Sequence, residues 1–208
     1  MDFHDPKNPD ITNINFNPEN AGYTLCIVDT KGSHALLTDD YAASPAEMKE
    51  VTNYFHKEYL SEITLDDFLT AMPDLYGQLH DRSLLRAYHF LTENKRVSQA
   101  AEALMQQQFD TFLSCIRASG NSSYRFLQNV YSNKYEQQQS VPMTLMLTED
   151  FLAGNGVCRV HGGGFAGTIQ AFVKDECVAG YKQFIEKILG EGACHVIRIR
   201  KQGGIRVI

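Results

Sequence analysis

No stretch of this sequence is dense in lysine or arginine, and its 19 basic residues are outnumbered by 25 acidic ones, for a formal net charge of −6. That balance argues against a nucleic-acid partner and against an anionic membrane surface. No apolar run approaches the length needed to span a bilayer, and Met1-Asp2-Phe3-His4-Asp5 lacks the pattern of a signal peptide, so no membrane association is expected. The five cysteines, Cys26, Cys115, Cys158, Cys177 and Cys194, form no C-x-x-C pair. Reduced, largely buried thiols in a cytoplasmic protein are the expectation. None of the seven histidines forms an i, i+4 pair beside an acid, so no metal site is expected.

What remains is an ordinary globular composition, 43% hydrophobic and 21% charged over 208 residues, enough for one well-buried domain. Residues 1–22, rich in Asn, Asp and Pro, read as an extended, irregular lead-in, and residues 23–208 as the domain proper. Tyr23-Thr24-Leu25-Cys26-Ile27-Val28-Asp29 reads as a buried strand. Ser44, Pro45 and Glu47 have the S-x-x-E pattern of a capping box with proline in first position, which predicts a helix start. Met48, Val51, Phe55 and Tyr59 then recur at helical spacing. Thr64-Leu65-Asp66-Asp67 opens a second helix that Pro73 is expected to end. Residues 81–107 read as helix, with Asn94 as the candidate break, Leu84, Leu85, Tyr88 and Leu91 on one apolar face, and Val97, Ala101 and Leu104 on another. The helix from Phe109 to Ile116 is expected to stop at Ser119-Gly120-Asn121-Ser122-Ser123, a polar turn. Pro142 starts a further helix. Asp175 is read as the cap of a helix that Gly190 and Gly192 end. His195-Val196-Ile197-Arg198-Ile199-Arg200 alternates as a half-buried strand, and Ile205-Arg206-Val207 reads as a shorter edge strand. About five strands and seven or eight helices, not interleaved one for one, predict an α+β fold: an antiparallel sheet with helices packed on one face.

The most informative stretch is Cys158-Arg159-Val160-His161-Gly162-Gly163-Gly164-Phe165-Ala166-Gly167-Thr168-Ile169, a β-type run that enters a glycine loop and a second that leaves it. Glycine serves where φ must be positive or where another molecule approaches the backbone closely. A tight hairpin is one reading; a loop lying flat against a ligand or a partner domain is the other. No Lys-Ser/Thr follows the glycines and a strand rather than a helix comes next, which excludes a Walker A loop and a Rossmann turn. Arg159 and His161 share one face of the incoming strand, as loop anchor or as ligand contact. Asp39 and Asp40 sit where acids favour a helix dipole, whereas Tyr41 stands outside the helical periodicity with a hydroxyl that requires a partner. No general base joined to a phosphate site emerges from these residues.

Together these segments resemble the C-terminal half of the galactokinases, in the GHMP family of small-molecule kinases. The resemblance is carried by residues 29–43, by Asn94-Lys95-Arg96-Val97, by Phe126-Leu127-Gln128-Asn129-Val130-Tyr131, by the glycine motif from Arg159 to Thr168, and by the tail from Gly190 to Ile208. It implies a ferredoxin-like sandwich and transfer of the γ-phosphoryl group of ATP, with Mg2+, to the anomeric hydroxyl of galactose. Tyr41 matches a tyrosine whose hydroxyl binds the sugar. Gly162, Gly163, Gly164, Phe165 and Gly167 match a loop that closes the cleft between two halves. The family's catalytic aspartate, its arginine partner and its Ser-rich phosphate loop belong to an N-terminal half that no stretch here resembles, and Asp2-Phe3-His4 resembles the end of that half. The resemblance therefore implies a chain with no catalytic residue of its own, inactive without the N-terminal kinase half, or alternatively a non-catalytic sugar-sensing module. An apolar patch around the glycine loop and residues 1–22, suited to a homodimer, is a further expectation.

Overall fold

The computed structural model describes residues 7–14, 16–33, 35 and 37–199. The expected strand at Ile205-Arg206-Val207, Arg200 at the end of the preceding run, and Asp2-Phe3-His4 lie outside the described residues.

Strand β1 (Tyr23–Asp29) is an inner strand of a four-stranded sheet in the order β2-β3-β1-β4, with β2 spanning Gly156–His161, β3 Thr168–Lys174 and β4 Cys194–Ile197. Every pairing is antiparallel, and β2 and β3 form a hairpin that begins its ladder at His161 opposite Thr168. The period-2 alternation of β1 sends Cys26 and Val28 to one face and Tyr23 and Leu25 to the other. On the first face they join Cys158, Val160, Ile169, Ala171 and Val173 in a core closed by helices α6 (Ser140–Leu152) and α7 (Val178–Leu189). This is the expected α+β arrangement of an antiparallel sheet with helices against it. The phenol of Tyr181 is fully buried in that core and bonds Thr148 Oγ1 at 2.9 Å.

One end of the second face is also covered. Helix α5 (Phe109–Ser122) lays Phe109 and Leu113 on Val157 and Phe172, and Phe16 of the lead-in stacks on Phe109 at 5.2 Å. A separate helical core is formed by α1 (Thr38–Tyr54), α2 (Leu65–Thr70), α3 (Met72–Leu75) and α4 (Asp81–Met105), built on Val51, Phe68, Leu75, Leu84 and Leu91. Its polar link is Glu47, which takes both Arg82 and the almost fully buried Arg86, while Arg86 also donates Nε to the Leu127 carbonyl at 3.1 Å.

Several local signals give way to this packing. The capping box at Ser44, Pro45 and Glu47 does not form: α1 starts at Thr38, Pro45 lies inside it, and Ser44 Oγ is buried without a hydrogen-bond partner. The Glu47 carboxylate, which a capping box would turn back onto the chain, instead meets two arginines of α4. Helix α1 ends at Tyr54, so Tyr59 falls beyond it and is 55% exposed. Thr64 does cap α2, accepting from the Asp67 amide at 3.0 Å, but Pro73 is the second residue of α3 rather than the stop of α2. Helix α4 runs through Asn94 unbroken, and Val97, expected on an apolar face, is 59% exposed. Asp175 caps no helix; its carboxylate accepts from Thr24 Oγ1 at 2.7 Å and opens a 3-10 turn before α7.

The largest departure is at residues 119–123. Helix α5 continues to Ser122 and passes into a π-turn, Ser123–Leu127. Ser119, Ser122 and Ser123 are buried, and a Cβ on Gly120 would lie 3.0 Å from Arg159 Cβ and 3.3 Å from the Cys158 carbonyl oxygen. Small residues here let the helix approach β2; they do not break it.

Candidate functional site

The residues singled out in the sequence converge on the β2–β3 connection. Gly162, Gly164 and Gly167 have φ of 71, 81 and 88°, and Phe165 has 59°. The three glycines accept that left-handed backbone at no steric cost, but a phenylalanine does so only when its surroundings hold it. Phe165 is held by burial: it is 6% exposed, packed with Leu37, Ala166, Tyr41 and Tyr135. The loop's two apolar side chains, Phe165 and Ala166, are turned inward, so residues 162–167 themselves add no apolar surface to the expected patch. Gly162 and Gly163 remain exposed, so the outer surface of the loop is bare peptide backbone.

Tyr41 lies in the first turn of α1 rather than outside the helix. Its hydroxyl donates to the Gly164 carbonyl at 2.8 Å, and its ring meets Phe165 edge-on, 5.3 Å between centroids. Burial, and secondarily the Asp40 carboxylate, raise its pKa, so the phenol stays a neutral donor. A Cβ on Gly163 would come within 2.9 Å of Tyr41 Cε1, which accounts for the second glycine. Asp39 and Asp40 do occupy the first turn of α1, as the dipole reading requires, and each has a further partner across the site. Asp39 pairs with Lys134 and Asp40 accepts from Ser132 Oγ at 2.7 Å. The end of the loop is tied by Thr30, whose amide and hydroxyl both donate to Gly167 O at 2.8 Å.

Asn129, singled out in the sequence only as part of segment 126–131, proves to be a contact of the loop. Its side-chain amide donates to Gly163 O at 3.1 Å, and its main-chain carbonyl accepts from the Phe165 amide. No residue-type pattern signals such a contact across 34 positions. Arg159 and His161, on one strand face as expected, part company. Arg159 is drawn into a half-buried polar cluster, bonding Ser119 Oγ and lying 3.6 Å from Glu93, with burial lowering its pKa. His161 is exposed and bonds Thr168 Oγ1 at 3.0 Å across the neck of the hairpin. Arg159 thus ties β2 to α4 and α5, while His161 closes the neck of the loop.

Chemically, the site offers a neutral phenol, an amide and an exposed glycine backbone. Those groups suit oxygen atoms of a polar ligand or the peptide surface of a partner. Among the described residues no group of three or more His, Cys, Asp or Glu side chains is placed to hold a metal ion. No helix among them is long and apolar enough to cross a membrane. All five cysteines are free thiols, and burial pushes that of Cys158 up to about 12.

No family model matches the chain. Individual relatives do. A galactokinase of Actinobacillus pleuropneumoniae is 28% identical over 169 residues, 81% of this chain and 42% of that protein. A galactokinase of Thermotoga neapolitana is 30% identical over 151 residues, 71% of this chain and 38% of that protein. The chain is galactokinase-like, matching the C-terminal portion of those proteins. The galactokinase-like fold is seen again in the crystal structure of Lactococcus lactis galactokinase complexed with galactose, with a TM-score of 0.67 at 23% identity, over 86% of this chain and 45% of that one. The chain thus spans about two-fifths of the length of the galactokinases it matches.

Proposed function

We propose that this chain is the C-terminal half of a galactokinase-type kinase that transfers the γ-phosphoryl group of ATP to the anomeric hydroxyl of galactose. The observation that carries the reading is the joint one of likeness and geometry: the galactokinase-like segment folds so that Tyr41 and the glycine loop meet on one surface. In this reading residues 162–167 form one wall of a cleft whose remainder comes from a kinase half outside this sequence. Tyr41 contributes a phenol kept protonated, and the loop contributes peptide groups close enough for an oxygen-rich ligand to lie against. Phosphoryl transfer depends on positioning and charge stabilisation, so a wall that donates no proton still matters.

ATP and Mg2+ are the co-reactants such a reaction uses. In this reading the chain's own contribution is to orient ligand oxygens and exclude water at the wall that Tyr41 and the glycine loop form. Its five free thiols suit a cytoplasmic setting.

The test is a galactose phosphorylation assay on the purified chain, alone and mixed with the N-terminal part of a galactokinase relative. No turnover by the chain alone and turnover on mixing, reduced by Tyr41→Phe, is the expected result. Turnover by the chain alone would overturn its dependence on a second half. Tight calorimetric binding of galactose by the chain alone, with no turnover on mixing, would mark it instead as a sugar-sensing module.

A further inference from the structure

We propose that Asn129 is the positioning residue of the glycine loop, the group that fixes where the peptides of Gly163 and Gly164 point. The inference rests on the loop being the functional wall described above, though every contact behind it lies within this chain. Asn129 is delivered by an unusual piece of backbone: the π-turn Ser123–Leu127 ends in Gln128, which is left-handed at φ 55° and ψ 47°. π-turns and left-handed non-glycine residues concentrate where a particular side chain has to be aimed. From there Asn129 grips the loop at consecutive points. Its Nδ2 donates to Gly163 O, its main-chain oxygen accepts from the Phe165 amide, and that same oxygen occupies the space a Cβ on Gly164 would need.

The side chain is only 4% exposed, yet its Oδ1 meets no hydrogen-bond donor. The amide cannot be turned over to relieve this, because Oδ1 would then face the Gly163 carbonyl, acceptor against acceptor. A buried side-chain amide with one end unpaired is uncommon in folded proteins. Here one end is left unpaired while the other holds the loop, which is the pattern of a group whose placement of the loop outweighs its own satisfaction. Tyr41 acts on the same loop from the α1 side through Gly164 O. Asn129 is distinct in bonding both a carbonyl and an amide of the loop.

The experiment is amide hydrogen exchange by NMR on the purified 208-residue chain and on its Asn129→Asp variant, which keeps the shape and removes the donor to Gly163 O. Exchange at Phe165 and Ala166 should rise about tenfold or more, while the amides of β1 and β3 keep their native protection. Unchanged exchange in the loop would overturn the proposal. A uniform rise through loop and strands would overturn it too, because it would make Asn129 a general stability residue. If Asn129→Asp does not fold, Gly164→Ala is read by the same criterion, since its Cβ and the Asn129 carbonyl oxygen cannot share one space. Neither measurement involves nucleotide or sugar, so failure here is separable from failure of the kinase reading.

Discussion

Residues 119–123 lie against the middle of β2, and residues 162–167 leave its C-terminal end. Both runs are built from glycine and small residues, and the fold uses them in opposite ways. In the first, Ser119, Ser122 and Ser123 are buried and Gly120 lets α5 come down onto Cys158 and Arg159. In the second, Gly162 and Gly163 are exposed, and four residues take left-handed backbone that a helix could not contain. The first run is small so that two layers can touch. The second is small so that its backbone can turn and be approached. The difference is one of mechanical role: the first should transmit any change to the whole domain, the second should confine it.

The sharpest way to break that contrast is to add bulk at the helix–sheet contact. Gly120→Val puts branched carbon where a single Cβ is already 3.0 Å from Arg159 Cβ, and should cost about 3 kcal/mol of global stability in urea unfolding. A cost below about 1 kcal/mol would mean that α5 does not press on β2 as described.

Next in size is Ser122→Ala. Ser122 Oγ lies 2.9 Å from Nδ1 of the buried His89, and its removal should cost about 1–2 kcal/mol by leaving that nitrogen unpaired. A neutral result would show that the buried serines matter for size alone.

The same contact makes the first run sensitive to pH. Burial depresses His89 below its ordinary value of 6.5, against the opposing pull of Glu93 and with help from Arg96 and Arg159. A histidine held below its unfolded pKa binds fewer protons when folded, so its stabilisation is complete above that unfolded value. It is lost progressively as the pH falls below 6.5 toward the folded pKa. Urea midpoints measured from about pH 7.5 down to about pH 5 should therefore decline, and His89→Gln should flatten the decline. An identical slope in the variant would place the sensitivity elsewhere.

The smallest effect belongs to the loop. At Gly162 nothing lies within 4 Å of an added Cβ, so Gly162→Ala meets only the strain of φ 71°. It should lower the melting temperature by the equivalent of about 1 kcal/mol or less. A loss as large as that of Gly120→Val would erase the distinction between the two runs.

These runs also mark where sequence reasoning held and where it stopped. The β2–β3 hairpin, β1, the Thr64 cap and the helix around Pro142 were legible because each signal is local: alternation, a capping hydroxyl, a proline near a first turn. The capping box at Ser44 was equally clear and did not form, because Arg82 and Arg86, 35 and 39 residues away, claim the Glu47 carboxylate. Tyr41 and the glycines could be picked out singly, Tyr41 for a hydroxyl needing a partner and the glycines for their permissive backbone. That the tyrosine's partner is the loop itself could not be read, and Asn129, although within segment 126–131 of the resemblance, carried no local signal of its contact with the loop.

By itself the sequence determined the antiparallel α+β character of the chain, its galactokinase-like kinship and the glycine loop, because composition, short-range periodicity and motif survive in one dimension. Only the tertiary structure decided that residues 119–123 are a buried contact, that Phe165 anchors the loop from inside, and that Tyr41 and Asn129 grip it. The reason is physical. A small residue has the same local propensities whether it admits a neighbouring layer or bares a backbone, and only the atoms brought to it by distant segments tell the two apart.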